Sequence, residues 1–203
     1  MWMLGFDAAA GEEGLFTARR LQYVSAGDVA EWFRAGSEPI GDPERRAALW
    51  RDLARGLLAS YGGSAIEVLA RSEDRLGGET GLLKRLGEFS AYSDPLAKKA
   101  FLFAKIAERR GWFEPSDPEA WEVSADNVLM RLALRSGLVP EGPLAEVRAS
   151  TRAAFKELAS AAGMDPPVLD DMLWELGRND PDILGTDAGE LREPPRDPAS
   201  AWY

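Results

Sequence analysis

The sequence predicts an all-α fold, a single multi-helix domain followed by an extended C-terminal tail. Three observations carry this. Apolar residues recur every three or four positions in one segment after another. Ser, Asp and Pro open these segments, and glycines close them. No segment alternates convincingly with period two.

The 203-residue chain divides accordingly into a helical domain over 1–180, with 1–24 as an irregular lead-in, and a Pro- and Asp-rich tail over 181–203. Ser25 caps a short helix carrying Val29, Trp32 and Phe33. PERRAALWRDLARGLLASYGG, from Pro43, places Ala47, Trp50, Leu53, Leu57 and Leu58 at helical spacing and stops at Gly62 and Gly63. SAIEVLARSED opens with a fresh cap at Ser64, and GLLKRLGEF is another short helix. Asp94–Pro95 begins DPLAKKAFLFAKIAERRGW, a long helix ended by Gly111. Ser124 caps SADNVLMRLALRSG, ended by Gly137. PLAEVRASTRAAFKELASAAG follows, and then a last helix opens with Asp165 as cap and Pro166 at its first position. This gives about seven to nine helices, each end placed to within ~2–4 residues.

Composition removes whole classes of chemistry. There is no cysteine and no histidine, which leaves no disulfide, thiolate nucleophile, His general base or Cys/His metal site. Acid–base work falls to Asp, Glu, Lys or Tyr, and neither a metal nor a cofactor is expected. The formal charge of −10 repels a phosphate backbone, and Arg and Lys are interleaved with acids along the chain, so duplex nucleic acid is a disfavoured partner. MWMLGFDAAAG has neither the basic flank nor the length of a signal peptide, and no membrane span is evident. A soluble cytoplasmic protein without a membrane partner is the expectation; the oligomeric state is left open.

VLDDMLWELGRND, from Val168, poses the sharpest question. Asp170 shares the apolar stripe of Leu173, Trp174 and Gly177, whereas Asp171 falls with Glu175 and Arg178 on what reads as a solvated face. Two readings of Asp170 stand. It is a first-turn acid favoured by the helix macrodipole, worth roughly 0.3–1 kcal/mol, or a carboxylate in a partly apolar pocket, where desolvation makes it a useful base. Asp126, just after the Ser124 cap, could again be only a first-turn acid. Lys98, one turn past Asp94–Pro95, is either a lysine snorkelling past Phe101 and Leu102 or a desolvated nucleophilic amine. The tryptophans fit core packing, and one or two of them could stack a planar base. The Gly pairs at 62–63 and 77–78 lack a phosphate-loop pattern and punctuate helices.

Taken in order, these segments resemble the queuosine-salvage family, the queuosine 5′-phosphate N-glycosidases that release queuine. LQYVSAGDVAEWFR and PERRAALWRDLARGLLASYGGSAIEVLARSED are similar to that family's run ending in Phe-Gly-Gly-Ser, and DPLAKKAFLFAKIA resembles its lysine-bearing helix. SADNVLMRLALRSGLV is similar to its Asp-Tyr-Arg-x-Pro-Gln segment, AEVRAST to Glu-Ile-Arg-x-x-Ser, and VLDDMLWELGRND to Leu-Asp-x-x-Leu-Trp. The likeness runs from Tyr23 to Asp180, and the family's longer N-terminal portion is shortened here. It implies a helical domain related to helix-hairpin-helix DNA glycosylases, with Asp170 at the catalytic carboxylate and Asp126 at a substrate-pocket aspartate. After that aspartate this chain carries Asn127, Val128, Met130 and Arg131 where the family has Tyr, Arg, Pro and Gln.

The expectation is therefore an N-glycosidase-like hydrolase of a modified purine-type nucleoside or its 5′-phosphate. Asp170 is base or nucleophile. Asp126, Asn127, Arg131, Lys98 and Trp174 bind substrate, with Lys98 or Arg131 as an anion contact. Carboxylates suit an oxocarbenium-like transition state and activation of water without a metal. Two rivals remain: a DNA base-excision glycosylase/lyase using Lys98 or Lys99 as a Schiff-base amine, and a catalytically inactive helical binding module.

Overall fold

The computed structural model describes residues 9–34, 40–186 and 193–195, and among them it is helical, without a strand. Helices α1 (Ala18–Leu21), α2 (Ala26–Trp32) and α3 (Pro43–Ser60) are followed by α4 (Ala65–Ala70) and α5 (Leu82–Leu86). After a 3-10 turn at Ser90–Tyr92 come α6 (Lys98–Arg109), a second such turn at Pro118–Ala120, then α7 (Asn127–Arg135), α8 (Leu144–Ala162) and α9 (Pro166–Gly177). The lead-in is more ordered than its glycines suggest. It holds α1 and buries Leu15, Ala18 and Val24; residues 1–8 lie outside the described residues.

Local chemistry explains most ends. Ser25 and Asp28 form a reciprocal capping box on α2, each side chain accepting from the other's backbone N–H. Gly62, Gly111, Gly137 and Gly163 all have positive φ just beyond their helices. Two starts differ from the sequence expectation. Helix α6 begins at Lys98, because Asp94 turns its carboxylate onto the backbone N–H groups of Leu96 and Lys98, 3.1 Å each, and Ala97 adopts φ 50°. Helix α7 is capped by Asp126, not Ser124. The Asp126 carboxylate accepts from Val128 N at 2.8 Å and Leu129 N at 3.0 Å.

Among the described residues, two of the apolar clusters frame the candidate site. The larger joins α3 to α6 through Ala54, Leu57, Leu69, Leu82, Phe89 and Phe101. The other joins α7, α8 and α9 through Leu129, Leu132, Phe155, Ala159, Leu169 and Leu173. Burying each such side chain contributes roughly 1.5–3 kcal/mol. Helix α9 approaches α7 so closely at Gly177 that an added Cβ would sit 2.6 Å from Leu132 Cδ1. Where α6 of the first core meets α8 and α9 of the second, the buried side chains are charged: Asp94, Lys105, Arg148 and Asp170. This seam positions the candidate site.

The described part of the tail returns to the domain. Asp182 accepts two bonds from buried Arg135, both 2.5 Å, Glu193 pairs with Arg131 at 3.1 Å, and Pro194 is buried. Among the described residues no helix is long and apolar enough to cross a membrane.

Candidate active site

Helix α9 presents Asp170 inward because its Leu169 and Leu173 neighbours must reach the second core. Pro166 at the first helical position sets the phase from Asp165. The Asp170 and Lys105 side chains are each only 6% exposed and form an ion pair, with Lys105 Nζ donating to Asp170 Oδ2. Lys105 comes from the inward face of α6, two turns after Lys98. Its Nζ also donates to Asp171 Oδ1 at 2.9 Å, and Arg109, one turn further, pairs with Asp171 Oδ2. The expected solvated face of Asp171 is thus corrected. The residue is half-buried and bonded to α6, a contact across 66 positions of sequence.

The arginines of α8 fasten the two loops that carry the other polar groups. Arg148 grips Asp94 with both terminal nitrogens, at 2.9 and 2.6 Å. Arg152 donates to Val123 O at 3.2 Å and to Leu96 O, and its guanidinium lies 5.2 Å from the Phe101 ring centroid. These bonds set the start of α6, hence Lys98, and the approach to α7, hence Ser124 and Asp126.

The electrostatics follow from burial. Desolvation pushes the Asp170 carboxyl up. Lys105 opposes this by charge and hydrogen bond, the Asp126 charge adds to it, and the Ser124 hydroxyl opposes it; the group ends above its ordinary value. Desolvation pulls the Lys98 amine down. Asp126 resists, Arg148 reinforces, and Asp94 and Asp170 resist, leaving it below its ordinary value. Burial likewise draws Arg152 down against Glu122 and Asp94. Ser124 Oγ is buried and acts on Asp170, yet no hydrogen bond of full geometry joins it to a described residue.

Of the residues expected from sequence, Asp170, Asp126 and Lys98 share this seam: the Asp126 charge acts on both Asp170 and Lys98, and the Asp170 charge acts on Lys98. The remaining three lie elsewhere. Asn127 is exposed, Arg131 bonds Glu193, and Trp174 is 41% exposed with Arg178 over its ring at 5.1 Å. Among the described residues no hydrogen bond or ion pair joins any of them to Asp170. Trp174 fails to follow Asp170 inward because the buried stripe of α9 runs through Leu169, Asp170, Leu173 and Gly177, with Trp174 at its rim.

No protein-family model and no curated protein matches this chain. The geometry alone therefore bears on its chemistry. It offers a buried carboxylate, and a second carboxylate and a desolvated amine within electrostatic reach of it. Among the described residues no three carboxylates converge as a metal ion would require.

Sequence reasoning overlooked Lys105, Asp171, Arg109, Asp94, Arg148 and Arg152. Lys105 had a readable signal: a lone cation inside FLFAKIA, seven positions from Lys98 and so on the same helical face. Arg148 and Arg152, four apart on α8, had a weaker one, since exposed arginines share that spacing.

Proposed function

We propose that this chain is an N-glycosidase-like hydrolase acting on a modified purine-type nucleoside or its 5′-phosphate, with Asp170 as the general base. The observation that carries the reading is the state of Asp170. It is buried, held in one orientation by Lys105, and still has a pKa above that of an ordinary carboxylate. Such a group, once ionised, accepts a proton from water more readily than a surface aspartate does.

In the proposed step Asp170 takes a proton from water as the water oxygen bonds to the anomeric carbon. The C–N bond breaks, and its electron pair leaves with the base, which is protonated from solvent. Positive charge on the sugar is stabilised by Asp170 and Asp126. The Asp126 carboxylate is fixed by the α7 backbone, so it does not reorganise during the step. Lys98 faces the same carboxylates and supplies a cation for a leaving base or a phosphate. Ser124 Oγ offers a buried hydroxyl to a sugar hydroxyl or the attacking water.

The test is release of free base from a panel of nucleosides and 5′-monophosphates, including 7-deazapurine compounds, followed by chromatography. Release from at least one member is expected; an inert panel would count against the proposal.

The glycosylase/lyase reading retains one supporting feature, the burial of the Lys98 amine, which disfavours its charged form and so favours the neutral amine that attacks an anomeric carbon. In that chemistry the amine displaces the base and forms an iminium that borohydride traps.

A further inference from the structure

The interaction that most constrains Asp170 is one that the hydrolytic step does not use. Lys105 Nζ has three N–H donors and directs two of them to adjacent carboxylates, Asp170 Oδ2 and Asp171 Oδ1. Asp171 is held in turn by Arg109. The four groups alternate in sign along one line, from the seam to the surface. Side-chain exposure rises from 6% at Asp170 and Lys105 to 39% at Asp171 and 57% at Arg109.

We propose that Asp171 and Arg109 are positioning residues that divide the charge of Lys105 between two carboxylates and thereby set the base strength of Asp170. A buried lysine given wholly to one aspartate would hold it as a weakly basic carboxylate. A second acceptor on the same ammonium weakens that hold, and Arg109 limits how far Asp171 can draw the lysine away. As a catalytic device this rests on the hydrolase reading, whereas the division of charge is a property of the folded chain with or without substrate.

The groups that face Asp170 act from every element packed on it. Lys105 and Lys98 reach it from α6, Ser124 and Asp126 from the approach to α7, and Arg152 from α8. Asp171 acts through Lys105 from α9 itself. Changes at Asp171 and Arg109 leave all the other facing groups in place, and their partial exposure makes them tolerant sites. Their effects have opposite signs. Without the Asp171 charge, Lys105 serves Asp170 alone and the Asp170 pKa falls. Without Arg109, Asp171 competes harder for Lys105 and the Asp170 pKa rises.

The experiment is a carboxyl-carbon NMR titration of Asp170 in the full-length protein, with the resonance assigned from its loss in Asp170→Asn. Relative to wild type, Asp171→Asn is expected to move the midpoint down and Arg109→Gln to move it up. Lys105→Met is expected to move it up furthest, by about one unit or more. Where Lys105→Met does not fold, the other two variants carry the test. Unmoved midpoints in both, or movement in the same direction, would overturn the proposal. If base release is found, the acid limb of kcat/KM is expected to follow the same order, with KM little changed. If no base is released the titration still reads, so failure of the hydrolase reading is distinguishable from failure of this one.

Discussion

Asp94→Asn removes one charge from the seam, and the structure lets its cost be worked out. Both partners are out of water, with side-chain exposures of 5% for Arg148 and 0% for Asp94. The carboxylate accepts four hydrogen bonds, two from Arg148 and one each from the backbone of Leu96 and Lys98. The amide keeps the volume but offers one acceptor and turns an N–H₂ toward donors. Breaking a buried pair from one side costs about 3–5 kcal/mol, which at about 2–4 °C per kcal/mol for a domain of this size lowers Tm by about 6–20 °C. Urea unfolding at pH 7, followed by tryptophan fluorescence, reads the difference directly. The double variant Asp94→Leu, Arg148→Met removes both charges and is expected to recover most of the loss. Acid supplies an independent check. Burial pushes the Asp94 carboxyl up, but Arg148 and the two backbone N–H groups outweigh burial, and it sits below its ordinary value. Its folded pKa is depressed, so its stabilisation is complete above the unfolded value of about 3.9 and is lost as pH falls through the lower folded value. The single variant should lack that part of the acid limb. A single-variant loss under about 1 kcal/mol, with an unchanged acid limb, would refute the claim that this pair holds the seam.

Three further outcomes follow from the same geometry. Gly177→Ala drives a methyl into Leu132 and should cost about 1–3 kcal/mol as overpacking, read as a lower urea midpoint with unchanged m-value. Base release should require ionised Asp170, so kcat/KM rises with pH on the acid side, with a midpoint above that of an ordinary aspartate; a flat acid side contradicts this. Borohydride should trap no adduct on nucleoside or abasic DNA, and Lys98→Ala should weaken substrate binding or stability more than it removes chemistry. A borohydride-dependent adduct mapped to Lys98 or Lys99 would favour the lyase reading.

What could be read from the chain and what could not divide along a physical line. Ser25 with Asp28, the positive-φ glycines and Pro166 act within a turn or two, so the sequence displays the helices they bound. Asp170 could be singled out because an acid on an apolar stripe conflicts with its neighbours in the same helix. Lys105, the partner that resolves this conflict, lies 65 positions away, and its local signal, a lone cation inside FLFAKIA, does not say which acid it will meet. The late start of α6 has the same origin. Asp94 bonds the backbone N–H groups of Leu96 and Lys98 while its carboxylate is also held by Arg148, 54 positions away. Asp171 shows the converse error: its spacing to Glu175 and Arg178 is that of a solvated face, and only the packing of α6 beside α9 makes it a partner.

The most direct test of the account is base release by wild type and Asp170→Asn, on whichever panel member is cleaved, under single-turnover conditions with both proteins verified as folded. The amide retains one acceptor for Lys105, and Asp171 keeps a counter-charge beside that lysine, so the variant should fold with a loss below that of a fully broken pair. Without a group to take the water proton, its rate is predicted to fall by about 10²–10⁴-fold, with substrate binding retained. Turnover by folded Asp170→Asn within a few-fold of wild type would contradict the assignment of Asp170 as the base.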